Sequence, residues 1–457
     1  MNDRKSFSTV ISNWRKLSVV ELSRAWSGIK NFTRRTFTDS LHPDLPPKDA
    51  EKLLRQIKDC LETSDGGASS QAHAVEIGSQ YFELSTEGRK KFLKILAENF
   101  DVDRKKVESA IAKYTGAISD TDLFKGEIAL KEALTPPRLT LLKQFNALPQ
   151  GFKFLIDLRA DILPMKKESV PLSKLESDLK EILASWFDVG LLDLREITWN
   201  SSASLLEKLI KYEAVHAISS WQDLKDRLDS DRRCYAFFHN KIDQEPLIFV
   251  EVALVDKLAD SIQKVLDQEV TPLNVKDANT AIFYSISNTQ KGLAGISLGN
   301  FLIKDVVEKV STDIPNIKNF ATLSPIPGFR SWLDKKLGTE DADKFLEPVK
   351  KEIKTVLPEG KKGAKGLSEF IGSAEFVKQP QTEPLSIILK HLCAYYILKE
   401  KRDGKALDPV ANFHLTNGAR AERINIMADI SPKGVKESYG IMINYLYKLS
   451  DIEENHE

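Results

Sequence analysis

Cysteine is scarce in this chain. Only Cys60, Cys234 and Cys393 occur among 457 residues, far apart and in no CxxC spacing. That argues against a disulfide framework and a structural zinc site, and favours a reducing compartment, the cytoplasm. The seven histidines are scattered, with no HxxxH pair, so no metal site is expected. An excess of one charge is also missing. Lys plus Arg and Asp plus Glu both total 66, which argues against a general nucleic-acid binder, because displacing counterions from phosphates needs a basic surplus. No apolar run approaches the ~20 residues of a membrane helix, and there is no internal repeat, P-loop or GxGxxG fingerprint.

What is present is an ordinary globular composition, 42% hydrophobic and 29% charged. At ~100–200 residues per domain the length suits two or three domains. Up to Thr38 the chain carries Arg4, Lys5, Arg15, Lys16, Arg24, Lys30, Arg34 and Arg35 against Asp3 and Glu21, with Phe7, Val10, Ile11, Trp14, Leu17 and Trp26 near helical spacing. An organelle import segment or membrane-surface helix has this character. The plainer reading is an amphipathic helix packed on its own domain or a partner chain.

The next stretches read as helices. Residues 47–62 put Leu53, Leu54, Ile57 and Leu61 on one stripe, and 88–100 do the same with Phe92, Ile95, Leu96 and Phe100. Residues 62–73 read as a polar loop, and helical patterns follow at 103–115, 126–134, 151–163 and 172–187. Nothing up to 187 reads as a strand, so residues 1–187 are expected to form a helical bundle. The period then changes. Residues 191–199, 234–240, 246–255 and 280–288 are rich in β-branched and aromatic side chains, with helices expected between them at 203–213 and 256–267. A mixed α/β domain is expected over 188–457. Residues 357–366, LPEGKKGAKG, read as a loop between helices, and 384–400 as a clear amphipathic helix.

Four stretches could carry chemistry. In 285–310 a strand ends in SISNTQKGLAGISLGN and a helix begins. Gly292, Gly295 and Gly299 would let the backbone approach an anion at the helix N-terminus. The pattern resembles the pyrophosphate loop of the GNAT acetyltransferase fold, although a plain strand-to-helix turn fits it as well. In 319–333 Ser324 precedes Pro325, which presses it into extended geometry at a strand end. In DPVANFHLTN (408–417) a strand would place Asn412 and His414 on one face, with Asn417-Gly418 as a hairpin turn. Residues 431–449 open with Ser431 as N-cap and Pro432 at the first helical position, and read as one helix with Tyr439, Met442, Ile443 and Leu446 on its buried side and Tyr447 near its end.

Taken in order, FYSISNTQKGLAGISLGNFLIK, LSPIPGF, DPVANFHLTNGA, RINIMADISPKG and GIMINYLY make the chain resemble the malonyl-CoA decarboxylase family. The resemblance covers most of the chain from about residue 150 onward. It implies a multidomain α and α/β fold, an all-helical N-terminal bundle followed by a GNAT-like catalytic domain. It implies conversion of malonyl-CoA to acetyl-CoA and CO2 through a thioester enolate, with His414 as proton donor and Ser324 as its partner, orienting the carboxylate or relaying a proton. Ala294, Gly295, Ile296, Ser297, Leu298, Gly299 and Asn300 match the segment that binds the CoA thioester, and Tyr447, with Asn412, would belong to the supporting network. Neither metal nor cofactor is implied, since coenzyme A is part of the substrate. A homo-oligomer, dimer or tetramer, through the helical domain is implied as well. Two positions depart from the family pattern: Ser297 stands where many members carry glutamate, and Ile426 replaces a tryptophan. The chain ends EENHE, without a Ser-Lys-Leu tail. Two other readings stay open, a CoA-dependent acyltransferase on the same fold and a non-catalytic malonyl-CoA-binding protein.

Overall fold

The computed structural model describes residues 41–448 apart from 63–67, 149, 243, 374, 375 and 377–381. The basic N-terminal segment read above lies outside the described residues. The described residues divide into two compact units, one of those up to 186 with 291–293, the other of those from 187 to 290 and from 294 onward.

The first unit is helical. Helices α1 (Pro47–Glu62), α2 (Ala68–Glu83), α3 (Thr86–Asn99), α4 (Arg104–Thr115), α5 (Asp120–Ala133), α6 (Arg138–Gln144), α7 (Gly151–Ile162) and α8 (Val170–Trp186) follow one another. Their starts are written in the sequence: Ser85, Asp103 and Ser119 each accept a backbone N–H of the helix that follows, which satisfies donors that would otherwise be orphaned. The loop expected over 62–73 is shorter, because α2 already begins at Ala68. Leu96, Leu155, Leu158 and Leu179 are buried at the centre, and Tyr81, Phe92 and Phe154 meet edge to face. Arg138, buried against Asp178 and Asp101, keeps its charge paired. Residues 291–293 pack with this unit. A Cβ on Gly292 would stand 1.8 Å from the Ile156 carbonyl oxygen, and Arg159 Nη1 donates to the Gly292 carbonyl, so only glycine fits there.

The second unit is built on a mixed sheet. Strands β1 (Leu192–Ile197), β2 (Arg232–His239), β3 (Ile248–Val255) and β4 (Thr280–Asn288) pair antiparallel in sequence order. Strand β5 (Asn319–Thr322) then joins β4 in parallel. That step needs a crossover, which is α12. Between β1 and β2 lie α9 (Ala203–Tyr212) and α10 (Trp221–Asp226), and α11 (Ile262–Val265) follows β3. The helix expected over 256–267 shrinks to those four residues, because Ile262 N–H bonds the Ala428 carbonyl instead of a helical one. Helix α12 (Gly299–Asp313) leads to β5, and β6 (Ser324–Pro325) comes immediately after it. Helices α13 (Phe329–Leu337), α14 (Ala342–Phe345), α15 (Lys350–Val356), α16 (Gly363–Ile371) and α17 (Glu383–Lys399) follow, then the hairpin β7 (Lys401–Arg402) and β8 (Lys405–Ala406). The chain closes with α18 (Pro409–Thr416), β9 (Arg420–Asn425), α19 (Pro432–Ser438) and β10 (Met442–Tyr447). Strand β10 pairs along one edge with β5 and then β6, and along its other edge with β9. A helical unit followed by a mixed α/β sheet unit is the architecture that was expected.

Two local expectations are corrected. Residues 409–416 are a helix, not a strand. Asp408 caps it, its Oδ1 accepting from Val410 and Ala411 N–H, and Pro409 sits in the first turn, a helix start that outweighs the alternating hydrophobicity. Asn417-Gly418 ends this helix rather than turning a hairpin: Gly418 adopts φ 78° and Ala419 N–H returns to the His414 carbonyl. Residues 431–449 are not one helix. Ser431 does cap α19, but Tyr439 and Gly440 take left-handed conformations and the chain leaves as β10.

Candidate active site

The candidate side chains Ser324, His414 and Tyr447 come from three elements that the fold brings together. Ser324 begins β6, paired with Ile443 of β10. Tyr447 ends β10. His414 projects from α18, 3% exposed. Ser324 Oγ lies 3.1 Å from His414 Nε2, and Tyr447 Oη lies 2.8 Å from His414 Nδ1. Both ring nitrogens are therefore engaged, one by each partner, and Tyr445 stacks on the ring with centroids 4.7 Å apart.

Burial dominates the electrostatics. It lowers the His414 pKa to about 3, since no carboxylate stands beside the ring to repay the desolvation of a cation. The imidazole is neutral at physiological pH. Burial likewise pushes the Tyr447 phenol up, so it stays protonated.

Asn412 does not share a face with His414. On a helix two residues are about 200° apart, and the Asn412 Oδ1 has no hydrogen-bond partner. Sequence reasoning read Asp408 only as part of a strand, although the Asp-Pro pair was the available signal for a cap. It also missed Thr322, whose Oγ1 accepts from Ser324 Oγ at 2.8 Å.

The 294–300 turn reaches the same place. Gly295 has φ 75°, a conformation glycine adopts without strain. Gly299 opens α12 at close quarters with α18: a Cβ there would stand 2.9 Å from Phe413 Cε2 and Cζ. Glycine thus lets the α12 N-terminus abut the residue next to His414. Ser297 is exposed and Leu298 buried, and Leu298 gives the first N–H groups of α12 no side-chain cap. Among the described residues no group of three or more His, Cys, Asp or Glu could hold a metal, and no helix is long and apolar enough to cross a membrane.

Comparison with known proteins gives the family. Residues 190–457 match the family model for the malonyl-CoA decarboxylase C-terminal domain, and 100–187 the one for its N-terminal domain. The mitochondrial malonyl-CoA decarboxylase of Anser anser anser is 39% identical over 400 residues, 83% of this chain and 77% of that protein. That of Mus musculus is 38% identical over 406 residues, 85% and 82%. The crystal structure of malonyl-CoA decarboxylase from Rhodopseudomonas palustris superposes with a TM-score of 0.80 at 38% identity, covering 89% of this chain and 95% of that one. The one from Agrobacterium vitis gives 0.77 at 37% identity, with the same coverage. Sequence, sheet order and relatives converge, and the chain belongs to the malonyl-CoA decarboxylase family.

Proposed function

We propose that the chain decarboxylates malonyl-CoA to acetyl-CoA and CO2, with His414 delivering the proton and Ser324 orienting the substrate carboxylate. The observation that carries this reading is the buried Ser324–His414–Tyr447 line beside the α12 turn. Breaking the malonyl C–C bond sends its electron pair into the thioester carbonyl as an enolate, and the α-carbon must then take one proton. The thioester is the electron sink, so the reaction needs no metal or organic cofactor.

The depressed pKa of His414 gives this sequence a driving force. In the free protein the ring is neutral. A malonyl carboxylate docked against Ser324 supplies the negative charge that the site lacks, which favours the imidazolium. When CO2 departs, that counter-charge leaves with it. The imidazolium is then a strong acid next to an enolate, and it gives its proton to carbon. Tyr447 can donate to Nδ1 in the neutral state and accept from it in the charged one, so it follows the change without moving. Ser297 has no carboxylate to offer, which leaves the proton transfer to His414.

The segment 294–300 would hold the CoA thioester through the free N–H groups at the start of α12. The test is a product analysis. Purified protein given malonyl-CoA is expected to form acetyl-CoA and CO2 in equal amounts. Free CoA without CO2 would mean acyl transfer, and stable binding without turnover would mean a non-catalytic binder.

The chemistry belongs to the domain 188–457 and assembly to 1–187. The exposed apolar residues Ile111, Ile118, Phe124 and Ile128 on and between α4 and α5, Ile118 at 97% exposure, favour a second copy of the chain as their cover. A dimer or tetramer is expected by sedimentation equilibrium, with Ile118→Glu and Phe124→Glu together shifting it toward monomer; a monomeric wild type would refute this. The buried cysteines are compatible with the cytoplasm and the basic first 38 residues with organelle import, a choice that fractionation of cells carrying the full chain decides.

A further inference from the structure

The sheet is interrupted at the site. Strand β10 pairs with β5 at Leu446–Ala321 and Tyr447–Phe320, and with β6 at Met442–Pro325 and Ile443–Ser324. Both pairings keep one register, so Tyr445 faces Thr322 and Asn444 faces Leu323. Those two steps carry no backbone rungs. Side chains stand in for them: Tyr445 N–H donates to Thr322 Oγ1 at 3.1 Å, and Asn444 Nδ2 donates to the Thr322 carbonyl at 2.8 Å. Leu323 keeps its bond on the other side, to the Phe283 carbonyl of β4. Thr322 is wholly buried, at 0% exposure. A gap in the ladder, closed by a threonine hydroxyl two residues before the Ser324–Pro325 strand, is a costly arrangement unless the hydroxyl has a task.

We propose that Thr322 is a positioning residue for the decarboxylation: its hydroxyl fixes the direction of the Ser324 O–H and thereby places the imidazole hydrogen of His414 on Nε2. This rests on the assignment of Ser324 and His414 to the reaction. A backbone N–H can only donate, so Tyr445 takes one lone pair of Thr322 Oγ1. The Ser324 hydroxyl donates to the same oxygen at 2.8 Å and spends its one hydrogen there until a substrate carboxylate takes it. Toward His414, Ser324 Oγ can then only accept, so Nε2 must carry the hydrogen. In a neutral ring Nδ1 is bare and accepts from Tyr447 Oη at 2.8 Å. Without the Thr322 acceptor, Ser324 could donate to Nε2, and the ring hydrogen would settle on Nδ1 facing Tyr447. Ser324 would then hold its one hydrogen toward Nε2 and have none for the substrate carboxylate that it orients. The wrong tautomer disables a histidine even when its position is intact.

The test uses the full-length protein labelled with 15N-histidine, with His414→Gln identifying the His414 signal. The wild type is expected to show the Nε2–H tautomer at pH 7. Thr322→Val should shift it toward Nδ1–H and lower kcat about tenfold or more, the weight of at least one buried hydrogen bond, with KM for malonyl-CoA within about threefold. Thr322→Ser keeps the hydroxyl and is expected to restore both tautomer and kcat to within about threefold of the wild type. A wild-type Nδ1–H tautomer overturns the proposal, even if Thr322→Val does not fold. So does a Thr322→Val protein that keeps full kcat, or a Thr322→Ser protein as impaired as the valine variant. The tautomer is read without turnover, so this outcome is separate from a failure of wild-type protein to release CO2.

Discussion

His414→Gln is expected to lower kcat for CO2 release from malonyl-CoA by about 1,000-fold, within the range that a positioned general acid supplies, with a much smaller change in KM. Glutamine fills similar space and can still donate toward Ser324, so the fold and the hydrogen-bonded neighbours persist. What disappears is the group that can take up a proton when the carboxylate docks and release it when CO2 leaves. A variant within tenfold of the wild type would remove His414 from the chemistry. The same substitution has a signature in stability. The folded ring has its pKa lowered to about 3, whereas an unfolded histidine titrates near ~6.5. Between those values the unfolded chain binds more protons, so wild-type stability is fully present above the unfolded value and falls as pH drops below it. The wild-type loss relative to His414→Gln should be about 1.4 kcal/mol per pH unit over this window, followed by urea unfolding at pH 7, 6 and 5. Parallel curves would mean that the ring is not buried neutral.

The sequence was most legible where local period and caps agree with tertiary burial. Helices α3, α7 and α8 carry stripes at i, i+3 and i+4, and Ser85 and Asp103 mark where α3 and α4 start. The strands β2 to β4 are apolar on both faces because both are covered. Reading failed where two signals compete over a few residues. Asp408-Pro409 begins a helix, yet the following residues also fit alternation, and the cap won because two backbone donors find one carboxylate oxygen. In 431–447 the helix start was right and its end was missed. Gly440 was the available sign, since its φ of 78° breaks any helix, and MINYLY then fits a buried strand.

The candidate site divides in the same way. Ser324, His414, Tyr447 and the 294–300 turn could be named in advance because the family motifs contain them. The resemblance implied their roles too, but not the electrostatics around them. The burial that neutralises His414 comes from Tyr445, Phe413 and Tyr447 packed around it, a meeting of α18 with β10 that leaves no local trace in the chain. Thr322 is harder still. Its importance rests on the interrupted pairing of β10 with β5 and β6, and nothing in the string NFATLSPIPGF distinguishes it from any strand threonine.

The largest expected loss of stability lies elsewhere in the sheet domain, at Arg227. Its guanidinium is 4% exposed and donates to Asp223 at 2.7 Å, Glu251 at 3.1 Å and the His216 carbonyl at 2.8 Å. Arg227→Met is expected to cost about 3–5 kcal/mol, because it strands buried carboxylates rather than merely removing an attraction. Glu251, in the middle of β3, carries the pH-dependent share of that cost. Burial, and then the charge of Glu213, already raise its pKa to about 8 against the pull of Arg227. A carboxyl raised in the fold binds its proton more tightly there than when unfolded. Its favourable contribution is fully present below the unfolded value near 4.5 and is lost as pH rises through about 8. Without Arg227 that pKa climbs further, so the variant can shed its penalty only by holding a proton. The deficit of Arg227→Met should therefore be larger at pH 8.5 than at pH 6, measured by urea unfolding at both. Glu251→Leu added to Arg227→Met should recover part of the loss, since an apolar pair of similar volume needs no desolvation. A deficit independent of pH, and unchanged in the double variant, would locate the cost in Asp223 and the 216–217 carbonyls instead. Either way kcat at temperatures well below the melting transition should stay near wild type, because none of these groups touches Ser324, His414 or the α12 turn.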